Sequence, residues 1–211
     1  MKRREFTLAA AVAAVPGLLS LPAHAQSGKG YAELAQRAPV DAPKGQIEVL
    51  EFFSYGCIHC MHFEPIMDAW VKTLPKDVAF RRVHVGFQSN FAPLQKIYYT
   101  LEAMGKVDGA MQEKIFKTLQ VDHKRLDKPD VLFAWAAEQG LDRAKFESTY
   151  NSFGVATQLR KAVQMQDAYK VEGTPALGIG GRFYTDGSMA GGFEGMVKLA
   201  NQLIEQVRKS A

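Results

Sequence analysis

Only two cysteines occur among the 211 residues, so the chain cannot form the disulfide-dense framework of a small secreted scaffold. A large excess of charge is also missing, because 26 Lys and Arg oppose 22 Asp and Glu, for a formal net charge of +4. The first 25 residues hold three of the basic residues and one acidic residue, which leaves +2 for the rest of the chain. Nucleic-acid binding needs a basic face rather than a small excess, so we expect no nucleic-acid partner.

Long apolar runs and cofactor motifs are also lacking. After residue 25 no apolar stretch approaches the roughly 20 residues that span a membrane, and no nucleotide, flavin or metal motif appears. The composition is otherwise ordinary for a globular protein, with 47% hydrophobic and 23% charged residues, which disfavours disordered and collagen-like classes. The length suits one domain with an insertion, or two small domains.

The N-terminal segment has the features of a secretory signal peptide. Lys-Arg-Arg at 2–4 precedes a mostly apolar run over 6–21, and Ala23 and Ala25 fit an A-x-A cleavage site. We therefore predict that residues 1–25 are removed by cleavage after Ala25. A membrane anchor is disfavoured because the run is short and interrupted by proline and glycine. The paired arginines also resemble a twin-arginine signal, so the export route stays open, and we expect a soluble mature protein in an oxidising compartment.

Strand and helix patterns alternate along the rest of the chain. Residues 26–45 have little apolar periodicity and are interpreted as a loose lead-in. The remaining predicted elements are strands over 47–54 and 78–86 with a helix from 57 or 58 to 73 between them, helices over 93–104, about 111–119, 129–140, 142–150 and 155–169, a β-hairpin over 175–185 and a helix over 193–208. The order is β-α-β, then about 75 residues of nearly pure helix, then β-β-α.

A C-x-x-C pair at Cys57 and Cys60 follows the first strand and opens a helix. The first turn of a helix has unpaired backbone N–H groups and a partial positive charge, so we expect the pKa of Cys57 to be well below that of a free thiol. Cys60 lies one turn further in and is expected to be more buried. His59 between them can donate a hydrogen bond or carry positive charge, which favours the thiolate again.

This arrangement has a redox consequence. A stabilised thiolate stabilises the reduced pair, so the disulfide becomes a stronger oxidant. One pKa unit corresponds to about 1.4 kcal/mol, and that free energy to about 30 mV in a two-electron couple. If the pKa of Cys57 lies several units below that of a free thiol, the cysteine pair is therefore expected to be an oxidant rather than a reductant.

Two other interpretations of the cysteines are weaker. A structural disulfide over such a short loop constrains the unfolded chain very little. A metal site of Cys57, His59, Cys60 and His62 has suitable ligand types, but these positions on one helix point in divergent directions. A partial metal site shared with another protein stays open.

The segment FFSYGCIHCMHFEP over 52–65 resembles the active-site segment of the DsbA family of bacterial periplasmic thiol:disulfide interchange proteins. The resemblance extends over the whole mature chain and implies an α/β thioredoxin fold with an inserted all-helical domain. It implies a thioredoxin-like domain over 26–88 and 170–211 and a helical domain over 89–169. A depressed thiol pKa and an oxidising disulfide are known in that family, so the resemblance implies the same direction.

The resemblance also implies roles for individual residues. Cys57 matches the exposed nucleophile, Cys60 its buried partner, and His59 the histidine between them. Thr174 and Pro175 match the loop that faces the cysteines, with Pro175 cis and the Thr174 backbone free to pair with an extended substrate. Ile58 departs from the proline of the best-known members, which leaves the reduction potential open.

Glu51, in the first strand, resembles a buried acid of the family that helps to move protons to and from Cys60. The family often pairs this acid with a lysine, and the matching position here is Arg82. Arginine stays charged and cannot relay a proton, so this pairing is expected to be electrostatic. The alternatives are that Glu51 is a polar residue at a strand edge, and that Arg82 belongs to a solvated basic face.

The function that we predict is a monomeric periplasmic dithiol–disulfide oxidase acting on exported proteins that carry reduced cysteines. The cysteine pair is its only redox centre, with no cofactor or metal, and the family implies reoxidation by a quinone-linked membrane partner resembling DsbB. Phe87, Met189 and Met196 are candidates for an apolar substrate groove. The alternatives are a reductase or isomerase of the same fold, and a metal- or peptide-binding module.

Overall fold

The central strand of the sheet is β2, Ile47–Phe53, whose sequence IEVLEFF is buried at every position. A computed structural model describes residues 28–210, and the predicted signal peptide lies outside the described residues. Apolar and aromatic side chains on both faces suit a strand that is covered on both sides. Glu48 and Glu51 share this burial, so both carboxylates need partners.

The five strands have the order β1-β5-β4-β2-β3. Strand β2 pairs in parallel with β3 and antiparallel with β4. The other elements are β1 Ala32–Glu33, α1 Ile58–Val71, β3 Val78–His84, a 3-10 turn Ser89–Phe91, α2 Ala92–Ala103, α3 Gly109–Gln120, α4 Pro129–Glu138, α5 Arg143–Tyr150, α6 Phe153–Ala168, β4 Ala176–Ile179, β5 Phe183–Asp186, α7 Gly187–Ala190 and α8 Phe193–Lys209.

Helices α1 and α8 cover one face of the sheet. Phe63 and Met67 of α1 and Leu203 of α8 pack with Val49 and Leu177 in one apolar cluster. The opposite face, with Leu50 and Phe52, belongs to a larger cluster that includes the side chains of α2–α6. The sheet therefore has an apolar layer on each side.

Helices α2–α6 all lie between β3 and β4 in the chain. Asp108, Asp142 and Ser152 cap α3, α5 and α6, each accepting a hydrogen bond from a backbone N–H of the first turn. Their apolar sides form the core of this helical part together with α4. Within residues 28–210, every helix is too short or too polar to span a lipid bilayer.

The lead-in differs from the sequence-based expectation. Part of it, β1, pairs antiparallel with β5, and Arg182 Nε donates to Glu33 at 2.7 Å. The short helix α7 and the 3-10 turn were also not predicted. Each is too short to show a periodic pattern, and each depends on contacts with distant segments or on local capping.

Candidate active site

The loop between β2 and α1 ends in a tight turn that positions Cys57. The Cys57 N–H donates to the Ser54 carbonyl at 3.0 Å, and the Gly56 N–H donates to Ser54 Oγ at 3.1 Å. Cys57 is the N-cap of α1, with extended backbone angles, φ −99° and ψ 116°. Its side chain is therefore held beside the free N–H groups of the first helical turn.

Both cysteines are free thiols in this structure, and their environments differ. Cys57 is half-buried, whereas Cys60 is 1% exposed. The pKa of Cys57 is lowered to about 5, and the hydrogen bond from the Cys60 thiol is the largest cause. Partial burial acts in the opposite direction. The Thr174 side chain and the backbone N–H groups of Cys60 and His59 lower the pKa further. Burial, and then the neighbouring Cys57 sulfur, raise the pKa of Cys60 far above its usual value. One thiol is thus ready to ionise and the other is held neutral.

The sequence-based account of Cys57 gave the main role to the helix start and to the His59 side chain. The backbone N–H groups do contribute, but the Cys60 thiol contributes most. The His59 side chain is exposed. The contribution of His59 to the thiolate comes from its backbone N–H.

Thr174 and Pro175 lie directly opposite the nucleophile. The Cys57 thiol donates to the Thr174 carbonyl at 3.3 Å, and the Thr174–Pro175 peptide bond is cis. Pro175 is buried and immediately precedes β4. The fold thus brings together four of the predicted site residues, Cys57, Cys60, Thr174 and Pro175, from two segments that are distant in sequence.

Two surface cavities flank this site. One, of about 420 Å³, is lined by His59, Thr174, Pro175, Asp186 and Phe193, among others. The second, of about 260 Å³, has Cys57 itself in its wall, and its apolar part consists of Phe87, Phe91 and Leu94. An extended polypeptide beside Cys57 therefore has space on both sides.

Of the three residues suggested for an apolar groove, only Phe87 lines one of the two cavities that flank Cys57. It is 36% exposed and its ring packs edge-on against Phe91. Met196 was a wrong candidate, because it is completely buried between α8 and the sheet. Met189 is partly buried against the main core.

A buried ion cluster links β2, β3 and α1. Arg82 Nε donates to Glu51 Oε2 at 2.7 Å, and Arg82 Nη2 donates to both carboxylate oxygens of Glu64, at 2.9 and 3.1 Å. The interpretation of Glu51 as a strand-edge residue is wrong, since β2 lies between β3 and β4. The assignment of Arg82 to a solvated face is also wrong, because its side chain is 11% exposed.

Glu64 was missed by the sequence analysis. It lies four residues after Cys60 on α1, and residues at that spacing share a helix face, which is the signal that could have identified it. Burial and then the charge of Glu51 raise the pKa of Glu64 to about 8, although the Arg82 guanidinium opposes the shift. The cluster therefore holds two carboxylates around one permanent cation, and one of them titrates near neutral pH.

No group of three or more His, Cys, Asp or Glu within residues 28–210 is placed so that it could hold a metal ion. The histidines without a predicted role have separate environments. His62 and His123 are exposed, and His84 is completely buried in β3.

Comparison with known proteins gives a consistent result. A family model described as DSBA-like thioredoxin domain matches residues 48–203. The chain is 42% identical to the thiol:disulfide interchange protein DsbA of Bordetella parapertussis, over 99% of this chain and 100% of that protein. It is 37% identical to the protein of the same name from Pseudomonas aeruginosa, over 100% and 99%. The crystal structure of Pseudomonas aeruginosa DsbA superimposes with a TM-score of 0.82 at 40% identity, covering 87% of this chain and 94% of that one.

Proposed function

This chain belongs to the family of DSBA-like thioredoxin-domain proteins, and from that premise we propose that it is a periplasmic oxidase that donates its Cys57–Cys60 disulfide to newly exported proteins. The α/β thioredoxin fold with inserted helices and the thiol–disulfide oxidoreductase class, both expected from the sequence, are confirmed. We propose the domain division at 88/89 and 169/170 because α2–α6 lie between β3 and β4.

The observation that supports the oxidase direction most strongly is the contrast between the two thiols. Cys57 has a pKa of about 5, so it is a thiolate at neutral pH in the reduced protein. The thiolate favours the reduced form and so makes the disulfide oxidising. A reductase would need the opposite preference.

The proposed reaction has two exchange steps. A substrate thiolate attacks Cys57 Sγ, the Cys57–Cys60 bond breaks, and Cys60 leaves with the electron pair and takes up a proton. A second substrate thiolate then attacks the substrate sulfur of the mixed disulfide, and Cys57 leaves as a thiolate. The substrate dithiol loses two electrons and becomes a disulfide, while the enzyme gains them and becomes the dithiol.

The other site residues are proposed to support these steps. While Cys57 is protonated it donates to the Thr174 carbonyl, and once it ionises the Thr174 side chain helps to stabilise the thiolate. The Thr174 loop can also pair with an extended substrate chain. His59 contributes its backbone N–H to the thiolate. Glu51 and Arg82 are proposed to set the electric field around Cys60. Glu64 is proposed to provide the carboxyl group that exchanges protons near neutral pH.

Partners and location are proposed from the family. We propose that the substrates are unfolded exported proteins with reduced cysteines, that a quinone-linked membrane protein resembling DsbB reoxidises the pair, and that the protein acts as a monomer in the periplasm. The export signal predicted over residues 1–25 and the oxidising chemistry of the cysteine pair support this location.

The direct test compares Cys57→Ser with the unchanged protein in the oxidative refolding of a substrate protein whose native disulfides have first been reduced. We expect catalysis to disappear, since the attacked sulfur is gone. Cys60→Ser is the matched control. It keeps the Cys57 thiolate, which should attack a substrate that already carries a disulfide, displace one of its sulfurs as a thiolate, and remain joined to the other as a mixed disulfide because no second enzyme sulfur can release it. Refolding that continues at the original rate in Cys57→Ser would place the chemistry elsewhere.

A reductase or isomerase of the same fold is separated by the redox equilibrium with glutathione. We expect the oxidised protein to be readily reduced by glutathione. A couple that resists such reduction would favour the reductase.

A further inference from the structure

Tyr55 lies two residues before the nucleophile and has no exposed surface. Each of its polar groups has a partner. Its N–H donates to His84 Nε2 at 3.1 Å, its carbonyl accepts from Gln120 Nε2 at 2.7 Å, and its hydroxyl donates to Gln112 Oε1. Two of the three partners belong to α3, a helix of the inserted segment.

We propose that Gln112 and Gln120 are positioning residues: from the inserted helices they hold Tyr55, and thereby the turn that places Cys57 at the start of α1. The inference rests on the proposed role of Cys57 as nucleophile. It gives the helical insertion a part in setting the redox chemistry of the cysteine pair.

The packing around Tyr55 leaves the ring little freedom. It meets the rings of Phe53, His84 and Phe116 edge-on, at centroid distances of 5.2, 5.4 and 5.3 Å. Phe116 also belongs to α3, so this helix contacts the ring as well as the backbone and hydroxyl. A movement of α3 would therefore be transmitted to the loop before Cys57.

His84 completes the arrangement from β3. Burial lowers its pKa to about 3, so the ring is neutral at physiological pH. Nδ1 lies 3.0 Å from the Val85 carbonyl, which places the ring proton on Nδ1 and leaves Nε2 free to accept from Tyr55. The Tyr55 N–H therefore has an acceptor throughout the neutral range.

Stability alone does not account for Gln112. The side chain is completely buried, and its Nε2 has no hydrogen-bond partner within residues 28–210. A buried donor without a partner is destabilising, and an apolar side chain would avoid that cost. The amide carbonyl accepts from the Tyr55 hydroxyl, so this contact is what the buried glutamine provides.

The turn that contains Tyr55 determines what surrounds the Cys57 sulfur. The sulfur needs the Cys60 thiol, the N–H groups of His59 and Cys60, and Thr174 at hydrogen-bond distance to remain ionised. If the turn relaxes, these contacts lengthen together. The thiolate then loses stabilisation, and the disulfide becomes less oxidising.

The test uses Tyr55→Phe and Gln120→Met, each of which removes one hydrogen bond to the loop. The measured quantity is the midpoint of the thiolate absorbance titration of reduced protein, with the glutathione equilibrium and the melting temperature beside it. We expect the midpoint to rise by about 0.5 pH unit or more, which corresponds to a roughly threefold loss of oxidising power in the equilibrium constant.

Tyr169→Phe is the matched control. The Tyr169 hydroxyl accepts from the Gly181 N–H at 2.9 Å, so the variant also loses a buried tyrosine hydrogen bond, near the β4–β5 turn. We expect it to lower the melting temperature and leave the titration midpoint unchanged. If Tyr55→Phe and Gln120→Met also lower only the melting temperature, the glutamines are merely structural and the proposal is overturned.

These readouts separate this proposal from the proposed function. The titration needs no substrate, and it is made on reduced protein whether or not that protein is an oxidase. An unchanged protein that catalyses no oxidation would defeat the proposed function, whereas variants with an unshifted midpoint would defeat only the positioning role.

Discussion

Arg82 is shared by two buried carboxylates, and this makes the cluster sensitive to pH. Glu51 and Glu64 contact different nitrogens of the guanidinium. Burial disfavours the ionised carboxylates most, and a single cation stabilises two anions less well than one. The consequence is that Glu64, one helical turn after the buried Cys60 on α1, exchanges its proton near neutral pH.

Glu64→Gln should change how stability depends on pH. The folded-state pKa of about 8 lies above the ordinary value of 4.5, so the stabilising contribution of Glu64 is present below pH 4.5 and is lost as the pH rises through 8. The glutamine variant lacks this loss. As the pH is raised from 5 to 8, we expect the free energy of unfolding of the unchanged protein to fall by on the order of 2 kcal/mol more than that of Glu64→Gln. Urea unfolding of the oxidised forms measures this difference.

The control for this measurement is Glu138→Gln. Glu138 is exposed and lies 3.5 Å from Lys124, so its removal should leave the pH dependence as it was. Parallel pH profiles for Glu64→Gln and the unchanged protein would show that Glu64 is ionised throughout this range.

For single residues, the sequence indicates which side chains are in contact better than it indicates how buried they are. The family resemblance pointed to Arg82 as the partner of Glu51, and the structure places the two in contact. Burial of Arg82 could not be deduced, because it depends on α1 and its Glu64 covering the strand. The dominance of the Cys60 thiol over the helix start likewise required coordinates, since it depends on the mutual orientation of two side chains.

Among the elements, α3 has a larger part than its position in the inserted segment suggests. It begins at the cap Asp108, whose carboxylate accepts from the Met111 N–H at 2.8 Å, and it ends at Gln120 beside the active-site loop. Both ends of the helix are therefore fixed by hydrogen bonds to specific groups.

Asp108→Ala removes the N-terminal cap of α3. We expect the free energy of unfolding to fall by about 1 kcal/mol, since the Met111 N–H loses its acceptor. Asp108→Asn, which keeps a side-chain oxygen, should lose clearly less. Equal losses in chemical denaturation would mean that the carboxylate acts through its charge rather than through this hydrogen bond.

Elements with a full periodic pattern were predicted to within a few residues. The strands β2 and β3 and the helices α1 and α8 are examples, because each buries a continuous run or stripe of apolar side chains. Strand β1 could not be found this way. It has two residues, and its pairing with β5 is a tertiary contact between segments about 150 positions apart.

For the whole molecule, the low pKa of Cys57 couples folding to the redox state. The folded value of about 5 lies below the usual 9, so the thiolate contributes stability that is fully present above pH 9 and is lost as the pH falls through 5. The raised pKa of Cys60 has the opposite effect, but only above pH 9, where the unfolded thiol ionises. The oxidised protein has neither contribution.

The reduced form should therefore melt at a higher temperature than the oxidised form at pH 7. The difference should shrink as the pH is lowered towards 5, and calorimetry of both forms over this range measures it. A domain of this size gains roughly 2–4 °C for each kcal/mol. A difference that stays constant from pH 7 to pH 5 would contradict an ionised Cys57.

The neutral state of the Cys60 thiol also affects how long a mixed disulfide between Cys57 and a substrate persists. Once a substrate protein is bound to Cys57 as a mixed disulfide, Cys60 could attack Cys57, re-form the Cys57–Cys60 disulfide and release the substrate still reduced. Thiols attack only as anions, and Cys60, buried and protonated, rarely becomes one. The mixed disulfide should therefore last long enough for a distant cysteine of the substrate to reach and attack it. Folding of the substrate, rather than the enzyme, then determines which two cysteines become joined.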